Sequence, residues 1–201
     1  MNKIITIGRE FGSGGREFGR RLAVELGFAY YDQEIISEIS RRTSLSEQYV
    51  QAVVEHHPSF AFPIHIGRSF YPASSPAFDQ TMTVYQEQAR IITEMAVKSD
   101  CVIVGRCADY ILRKYKPFRI FIYSDMESKM RRCRKKGPED ERLTDKELRQ
   151  KITGIDKKRA KYYEFYTGHP WGDKLNFDLC INTTQTEIKE IVPVIAKLFQ
   201  N

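Results

Sequence analysis

The chain has 201 residues, an ordinary apolar fraction of 41% and a formal net charge of +6. That length and composition suit one α/β domain with a good core and exclude a disordered chain. No stretch approaches the roughly 18 consecutive apolar residues of a membrane span, and no signal peptide precedes the first strand, so a cytoplasmic protein with no membrane partner is expected.

Alternating strands and helices follow in chain order. An apolar run predicts a strand over Lys3–Ile7, and Phe18, Leu22 and Leu26 mark a helix over Glu17–Leu26. Between them lies G-R-E-F-G-S-G-G-R, Gly8 to Arg16. Strand, glycine-rich loop and helix form a phosphate cradle: Gly12, Gly14 and Gly15 let the backbone curl so that consecutive N–H groups point at one anion. The helix N-terminus adds partial positive charge at the same place. The candidate cofactor-binding residues are therefore Gly12, Ser13, Gly14, Gly15, Arg16 and Glu17.

The match to the P-loop pattern G-x-x-x-x-G-K-[ST] is imperfect. With Gly14 as the second glycine, Gly15 stands in the lysine slot and Arg16 in the hydroxyl slot. The opening glycine is then Gly8, one residue early, or is replaced by Arg9. The lysine that reaches the β/γ-phosphates and the hydroxyl that meets Mg²⁺ are both missing. Arg16 is the expected substitute for the lysine, because a guanidinium pairs well with phosphate oxygens.

The next strand candidate is Phe28–Tyr31, ending at Asp32, which is expected to cap a helix over Gln33–Arg42. A helix over Ser46–Glu55 leads into an irregular Pro/Ser/aromatic insertion between Pro58 and Pro76. Beyond it come a helix over Thr83–Lys98 and a strand over Cys101–Val104, running into Gly105-Arg106. In an open α/β sheet ligands bind at that carboxyl end, so Arg106 is placed to grip a second anion opposite the loop. A helix over Ala108–Lys114, a strand over Phe118–Tyr123 and helices over Glu127–Lys136 and Asp145–Tyr166 follow, the last behind a Thr144/Glu147 capping box. A strand over Leu179–Ile181 and a helix over Glu187–Phe199, with a second box from Thr184 and Glu187, close the chain.

From Lys129 to Lys161 there are fourteen Lys or Arg against six Asp or Glu, a local +8 that leaves the remainder at −2. Such a block suits a solvated helical face, a nucleic-acid surface or a cover for a polyphosphate. Its aromatic end, Tyr162, Tyr163, Phe165 and Tyr166, suits base stacking or a packed hinge. Asp156 and Arg159 are three apart and share a helical face. Cys101, Cys107, Cys133 and Cys180 lack C-x-x-C spacing and read as reduced thiols; His56, His57, His65 and His169 form no metal-binding pattern, and no residue is assigned as a metal ligand.

Taken together, these motifs resemble the cytidylate kinase-like group of P-loop nucleotide kinases. The carriers are Gly8–Glu17, Y-Y-D-Q-E-I-I at Tyr30–Ile36, C-V-I-V-G-R-C-A-D-Y-I-L at Cys101–Leu112, D-K-K-R-A-K-Y-Y at Asp156–Tyr163 and W-G-D-K-L-N-F-D-L-C-I-N at Trp171–Asn182. The resemblance implies one domain over 1–201: a five-stranded parallel sheet of order 2-3-1-4-5 wrapped by helices in three layers. It also implies an acceptor-binding insert at about 43–90 and a lid at about 129–165. By the same resemblance Arg159 and Arg132 meet the transferring phosphates, Arg106 holds the acceptor's phosphate, and Asp32 and Asp156 bind the acceptor. The implied activity is phosphoryl transfer from ATP, with Mg²⁺, to a nucleoside monophosphate such as CMP or a similar small acceptor. The partners are then small nucleotides rather than nucleic acid, and the oligomeric state is left open. The chain departs from the family in lacking the loop lysine and in carrying Val104 where an aspartate precedes the Gly-Arg pair. Those departures keep a second expectation alive: a nucleotide-binding regulatory module without turnover.

Overall fold

A computed structural model describes residues 2–55, 76–136 and 143–200. Five parallel strands form one sheet: β1 (Ile4–Arg9), β2 (Ala29–Tyr31), β3 (Cys101–Val104), β4 (Phe118–Tyr123) and β5 (Leu179–Asn182). The order is β2-β3-β1-β4-β5, the expected 2-3-1-4-5. In register, Ile7 lies opposite Val104 on one side and Ile120 on the other. The central strands are dry on both faces, which is why they read as continuous apolar runs.

Helices cover both faces. On one, α1 (Gly15–Leu26) and α8 (Ile188–Ala196) pack Phe18, Leu22, Ile188 and Val192 on Ile5, Ile7, Val102, Val104, Ile120 and Ile122. Gly19 lets α1 sit close, because a Cβ there would lie 2.8 Å from Val104 Cγ2 and 2.9 Å from Ile7 Cδ1. On the other face, α2 (Gln33–Thr43), α3 (Glu47–Glu55), α4 (Pro76–Lys98), α5 (Ala108–Ile111) and the end of α7 (Asp145–Thr167) enclose Ile4, Ile35, Ile39, Ile92, Ile103 and Leu112. A smaller apolar cluster joins Met130 of α6 (Met126–Lys136) to Leu148 and Ile152 of α7 and to Phe11 of the glycine loop.

Several expectations are corrected at their ends. β1 runs two residues past Ile7, since Gly8 and Arg9 remain paired with Phe121 and Ile122 of β4. The helix expected to Lys114 stops at Ile111, and a 3₁₀ turn at Arg113–Tyr115 continues it. The last helix contains Pro193 and tightens into a 3₁₀ turn at Lys197–Phe199. The Thr144/Glu147 capping box is formed, whereas the Thr184/Glu187 box is not. The Thr184 hydroxyl instead accepts the Asp125 N–H at 3.0 Å, tying β5's end to the β4–α6 connection. The 58–76 insertion, His56, His57 and His65 lie outside the described residues, as does its part of the 43–90 insert. Among the described residues no helix is long and apolar enough to cross a membrane.

Candidate active site

The cradle is built where β1 hands over to α1. Gly12 and Gly14 take left-handed φ values of 76° and 87°, which a side chain rarely allows. Gly14 is the N-cap and offers no side chain, so the first-turn amides of α1 carry no side-chain cap there. Those amides have no helical acceptor, and the helix dipole makes the place attractive to an anion. Ser13 is fully buried and faces inward: its hydroxyl donates to the Glu10 carbonyl at 2.8 Å and its carbonyl accepts the Thr183 hydroxyl at 2.8 Å. Glu17 is engaged along the helix with Arg21 at 3.0 Å.

The front of the loop is clasped by the two basic helices. Lys129 of α6, only 6% exposed, places Nζ 2.7 Å from Glu10 Oε2 and 3.1 Å from Asp156 Oδ2. The other Asp156 oxygen accepts the Phe11 N–H at 2.7 Å. Burial lowers the Lys129 ammonium, but Glu10 and Asp156 outweigh it and the net shift is upward. Burial pushes the Asp156 carboxyl up, opposed by the Phe11 amide and Lys129. The local Asp156–Arg159 pair is loose, at 3.9 Å.

Behind the loop, charges of one sign converge. Arg9 ends β1 on the face of Ile5 and Ile7, and its side chain crosses beneath Gly15. Its guanidinium lies on Gly105, where an added Cβ would sit 1.7 Å from Nη1. Gly105, Arg106 and Cys107 are all left-handed, with φ of 71°, 61° and 52°. That turn costs roughly 1–2 kcal/mol for each non-glycine residue, and such strain persists where surrounding structure holds it. The holder is Gln88 of α4, fully buried, whose Nε2 donates to the Arg106 carbonyl at 3.0 Å and to the Tyr162 hydroxyl at 3.2 Å. Arg159 of α7 donates to the Arg9 carbonyl at 3.4 Å and stacks near the Phe11 ring. Burial first, then Arg159 and Arg106, push the Arg9 guanidinium down.

Asp32 is the carboxylate that acts on Arg9 among these cations. It occupies the N-cap position of α2 without capping it, which corrects the expected role. The carboxylate turns instead to Arg16, Oδ2 lying 2.5 Å from Nε. Asp32 is 3% exposed, and its Oδ1 has no hydrogen-bond partner among the described residues. Arg16 is thus drawn toward the end of β2. Arg132 points at the β4 and β5 ends, donating to Ser124 Oγ at 3.2 Å and to the Thr183 carbonyl. Burial, then Arg131, holds its guanidinium below the ordinary value.

A cleft opens beside Arg9, lined by Arg9, Arg106, Asp109, Arg159, Tyr163 and Trp171 among others. Tyr163 closes it with a 2.5 Å bond to Asp109 Oδ2. The aromatic end of the basic block is packing: Tyr162 and Tyr163 are buried, and Tyr166 stacks on Tyr85 at 3.9 Å. Among the described residues no group of three or more His, Cys, Asp or Glu is arranged to hold a metal ion.

Of the residues singled out in sequence, the fold brings Asp32, Arg106 and Arg159 into the electrostatic surroundings of Arg9 and sets Asp156 against Phe11 and Lys129. The sequence reading missed Glu10, Lys129, Gln88 and Arg9's position at the centre. Only Arg9 had a local signal, an arginine where the P-loop pattern has glycine.

The chain belongs to the cytidylate kinase-like family, whose model matches residues 4–185. Its fold is the P-loop kinase-like one. A crystal structure of an uncharacterized protein from Eubacterium ventriosum superposes with a TM-score of 0.70 at 24% identity, covering 100% of this chain and 99% of that one. Shikimate kinase from Bacteroides thetaiotaomicron gives 0.58 at 15% identity, covering 99% of each chain. Shikimate kinase from Acinetobacter baumannii, in complex with shikimate, gives 0.53 at 16%, covering 99% and 93%. No curated protein matches the chain.

Proposed function

We propose that the protein transfers a phosphoryl group from ATP to a small acceptor that already carries a phosphate, a nucleoside monophosphate such as CMP. One observation carries the reading: Arg9, which leads into the glycine cradle, lines one cleft together with the strained Arg106 turn and Arg159. Cations gathered at one cleft repel one another, and an anion entering there relieves that repulsion. Two phosphates, one at α1's first turn and one at Arg106, supply the negative charge.

The roles follow from position. The amides of Gly12 to Glu17 hold the donor phosphates. Arg106, fixed at a strand end, grips the acceptor's phosphate, and the buried Asp32 Oδ1 accepts a hydrogen bond from an acceptor hydroxyl. Arg159 and Arg132 lie on the helices of the 129–165 lid and reach the transferring group as it closes, with Arg16 at the edge. Asp156 is committed to Phe11 and Lys129, so its contact with the acceptor needs a shift of α7, the motion expected of a lid. Phosphoryl transfer asks for in-line positioning and charge stabilisation more than covalent chemistry, and those are what a ring of arginines provides.

ATP brings the transferable group. The residues present fit its phosphates but offer Mg²⁺ no direct ligand. Arg16 fills the hydroxyl slot, and the neighbouring carboxylates Glu17, Asp32, Glu10 and Asp156 are drawn to Arg21, Arg16 and Lys129. An ion would ride on phosphate oxygens and water.

A nucleotide-binding regulatory module without turnover is the second reading, favoured by Gly15 in the lysine slot. The two separate in one screen: nucleoside monophosphates, and shikimate as an acceptor without phosphate, are incubated with ATP and Mg²⁺ while ADP release is followed. Turnover is expected with a phosphorylated acceptor. Calorimetric ATP binding with no ADP from any acceptor would select the regulatory module.

A further inference from the structure

Two departures from the P-loop pattern lie across the loop from each other. With Gly14 as the second glycine, Arg9 replaces the first glycine and Gly15 replaces the lysine. In three dimensions the two exchange places. A Cβ built on Gly15 would lie 2.4 Å from Arg9 Cβ and 3.0 Å from Arg9 Cγ. The stem of Arg9 thus fills the volume from which a lysine at 15 would set out. Side chains at both positions exclude each other, since real Cβ atoms do not approach within 3.0 Å.

The far end of Arg9 has its own accommodation. Its guanidinium rests where a side chain at 105 would be, and Gly105 is left-handed as well as bare. Arg106, Arg159, Arg16 and Asp32 lie near enough to act on its charge. Two glycines, 15 and 105, therefore clear the path of one arginine. An arginine recruited only to pair with Asp32 would need neither, and Asp32 is held by Arg16.

We infer that Arg9 is the phosphate-binding cation of this loop: the positive charge has moved from the seventh position of the pattern to the first, and Gly15 is bare so that Arg9 can cross. Its guanidinium ends between the cradle and Arg106, where it contacts the terminal phosphoryl group of a bound triphosphate. A planar fork can bridge two phosphate oxygens, or two phosphates, where an ammonium is a point charge. The assignment rests on the nucleotide-binding reading above and gives Arg9, rather than Arg16, the duty of the missing lysine.

The test is a set of four variants, Arg9→Gln, Arg9→Gly, Gly15→Lys and the double Arg9→Gly/Gly15→Lys. Affinity for ATP and for tripolyphosphate is measured by calorimetry without turnover, with circular dichroism and thermal melting to verify the fold. Arg9→Gln and Arg9→Gly are expected to lose roughly ten- to a hundredfold in affinity for both probes, the scale of a charge-assisted contact. Gly15→Lys alone is expected to melt earlier, because its stem meets Arg9. The double variant, which restores the ordinary pattern, is expected to bind ATP several-fold or more tighter than Arg9→Gly. Folded Arg9→Gln with wild-type affinity would overturn the assignment while leaving the nucleotide reading intact. A double variant no better than Arg9→Gly would overturn the exchange of positions. If the wild-type chain binds neither probe, the nucleotide reading falls, and the role of Arg9 with it.

Discussion

Two groups of charges flank the same loop, and they are built on opposite terms. At its front, one ammonium, Lys129, meets two carboxylates, Glu10 and Asp156. Behind it, Arg16, Arg106 and Arg159 gather with Arg9; Asp32 binds Arg16, Asp109 lines the same cleft and Arg159 approaches Asp156 loosely. The front closes on itself and shifts the lysine toward its charged form; the rear holds Arg9 well below the ordinary guanidinium value. A self-sufficient cluster is a clasp that holds α6 and α7 on the loop in this arrangement and has to be released when the lid moves. A cluster in which like charges gather suits an anionic ligand, which relieves their repulsion. Substitutions should therefore cost stability at the front and activity at the rear.

The largest expected effect is at the rear. Arg159 rides on the basic helix, so its contact with the transferring group is made on closure, whereas Arg106 is fixed at a strand end and touches the acceptor before and during transfer. Uniform binding sets KM, and contacts made only in the transition state set kcat. With the best acceptor from the screen, Arg159→Ala is expected to lower kcat roughly 10³-fold, as for an arginine finger supplied in the same chain. Arg106→Ala is expected mainly to raise the acceptor KM. Wild-type kcat and KM in both variants would rule out the kinase mechanism.

The front gives the next effect. Lys129→Met leaves two carboxylates without their cation in a half-buried place. Breaking such a pair by removing one partner costs about 3 kcal/mol, the low end because Glu10 retains some water. Denaturant unfolding measures it. An equal loss in Arg9→Gln would erase the distinction, since relief of like-charge repulsion should make that loss smaller.

How much of this was legible in sequence depends on how local the cause is. The strand Cys101–Val104 was read to the residue because burial on both faces writes an unbroken apolar run, and Phe118–Tyr123 was read as closely although Arg119 interrupts its run. β1 was read short because Gly8 and Arg9 look like loop, although they still pair with β4. The Thr144 box formed as written, while Thr184 failed to cap α8 because its hydroxyl was taken by Asp125, a partner no spacing rule could reveal. The same limit applies at the site. Asp156 and Arg159 announce a shared face by helical spacing, but the meeting of Lys129 with Glu10 is set by how α6 packs against the loop. Asp32 sat at the expected helix start yet turned away from it, because Arg16 offers a charge where the helix offers amides.

A smaller effect concerns the strained turn that aims Arg106. Gln88→Leu removes the donor to the Arg106 carbonyl and to Tyr162 in a fully buried place. About 2 kcal/mol of stability is expected to go, the cost of leaving buried polar atoms unmet. The acceptor KM should rise with kcat little changed, since the turn positions Arg106 rather than acting on the reaction. A variant that loses stability with an unaltered KM would assign Gln88 to packing alone.

The smallest effect is the response to alkaline pH. Burial, then Arg159 and Arg106, push the Arg9 guanidinium down while Asp32 raises it, but a guanidinium keeps its proton over the range in which proteins stay folded. ATP affinity should therefore stay level from pH 8 to pH 10 in the wild-type chain and in Arg9→Gln, whose affinity is low from the start. Lys129 is shifted above its ordinary 10.5, so its contribution to stability is in place below that value and is lost as pH passes the folded one. Denaturant unfolding at rising alkaline pH should show that loss in the wild-type chain and not in Lys129→Met. A wild-type ATP affinity that falls below pH 10 while that of Arg9→Gln does not would mean that Arg9 titrates after all.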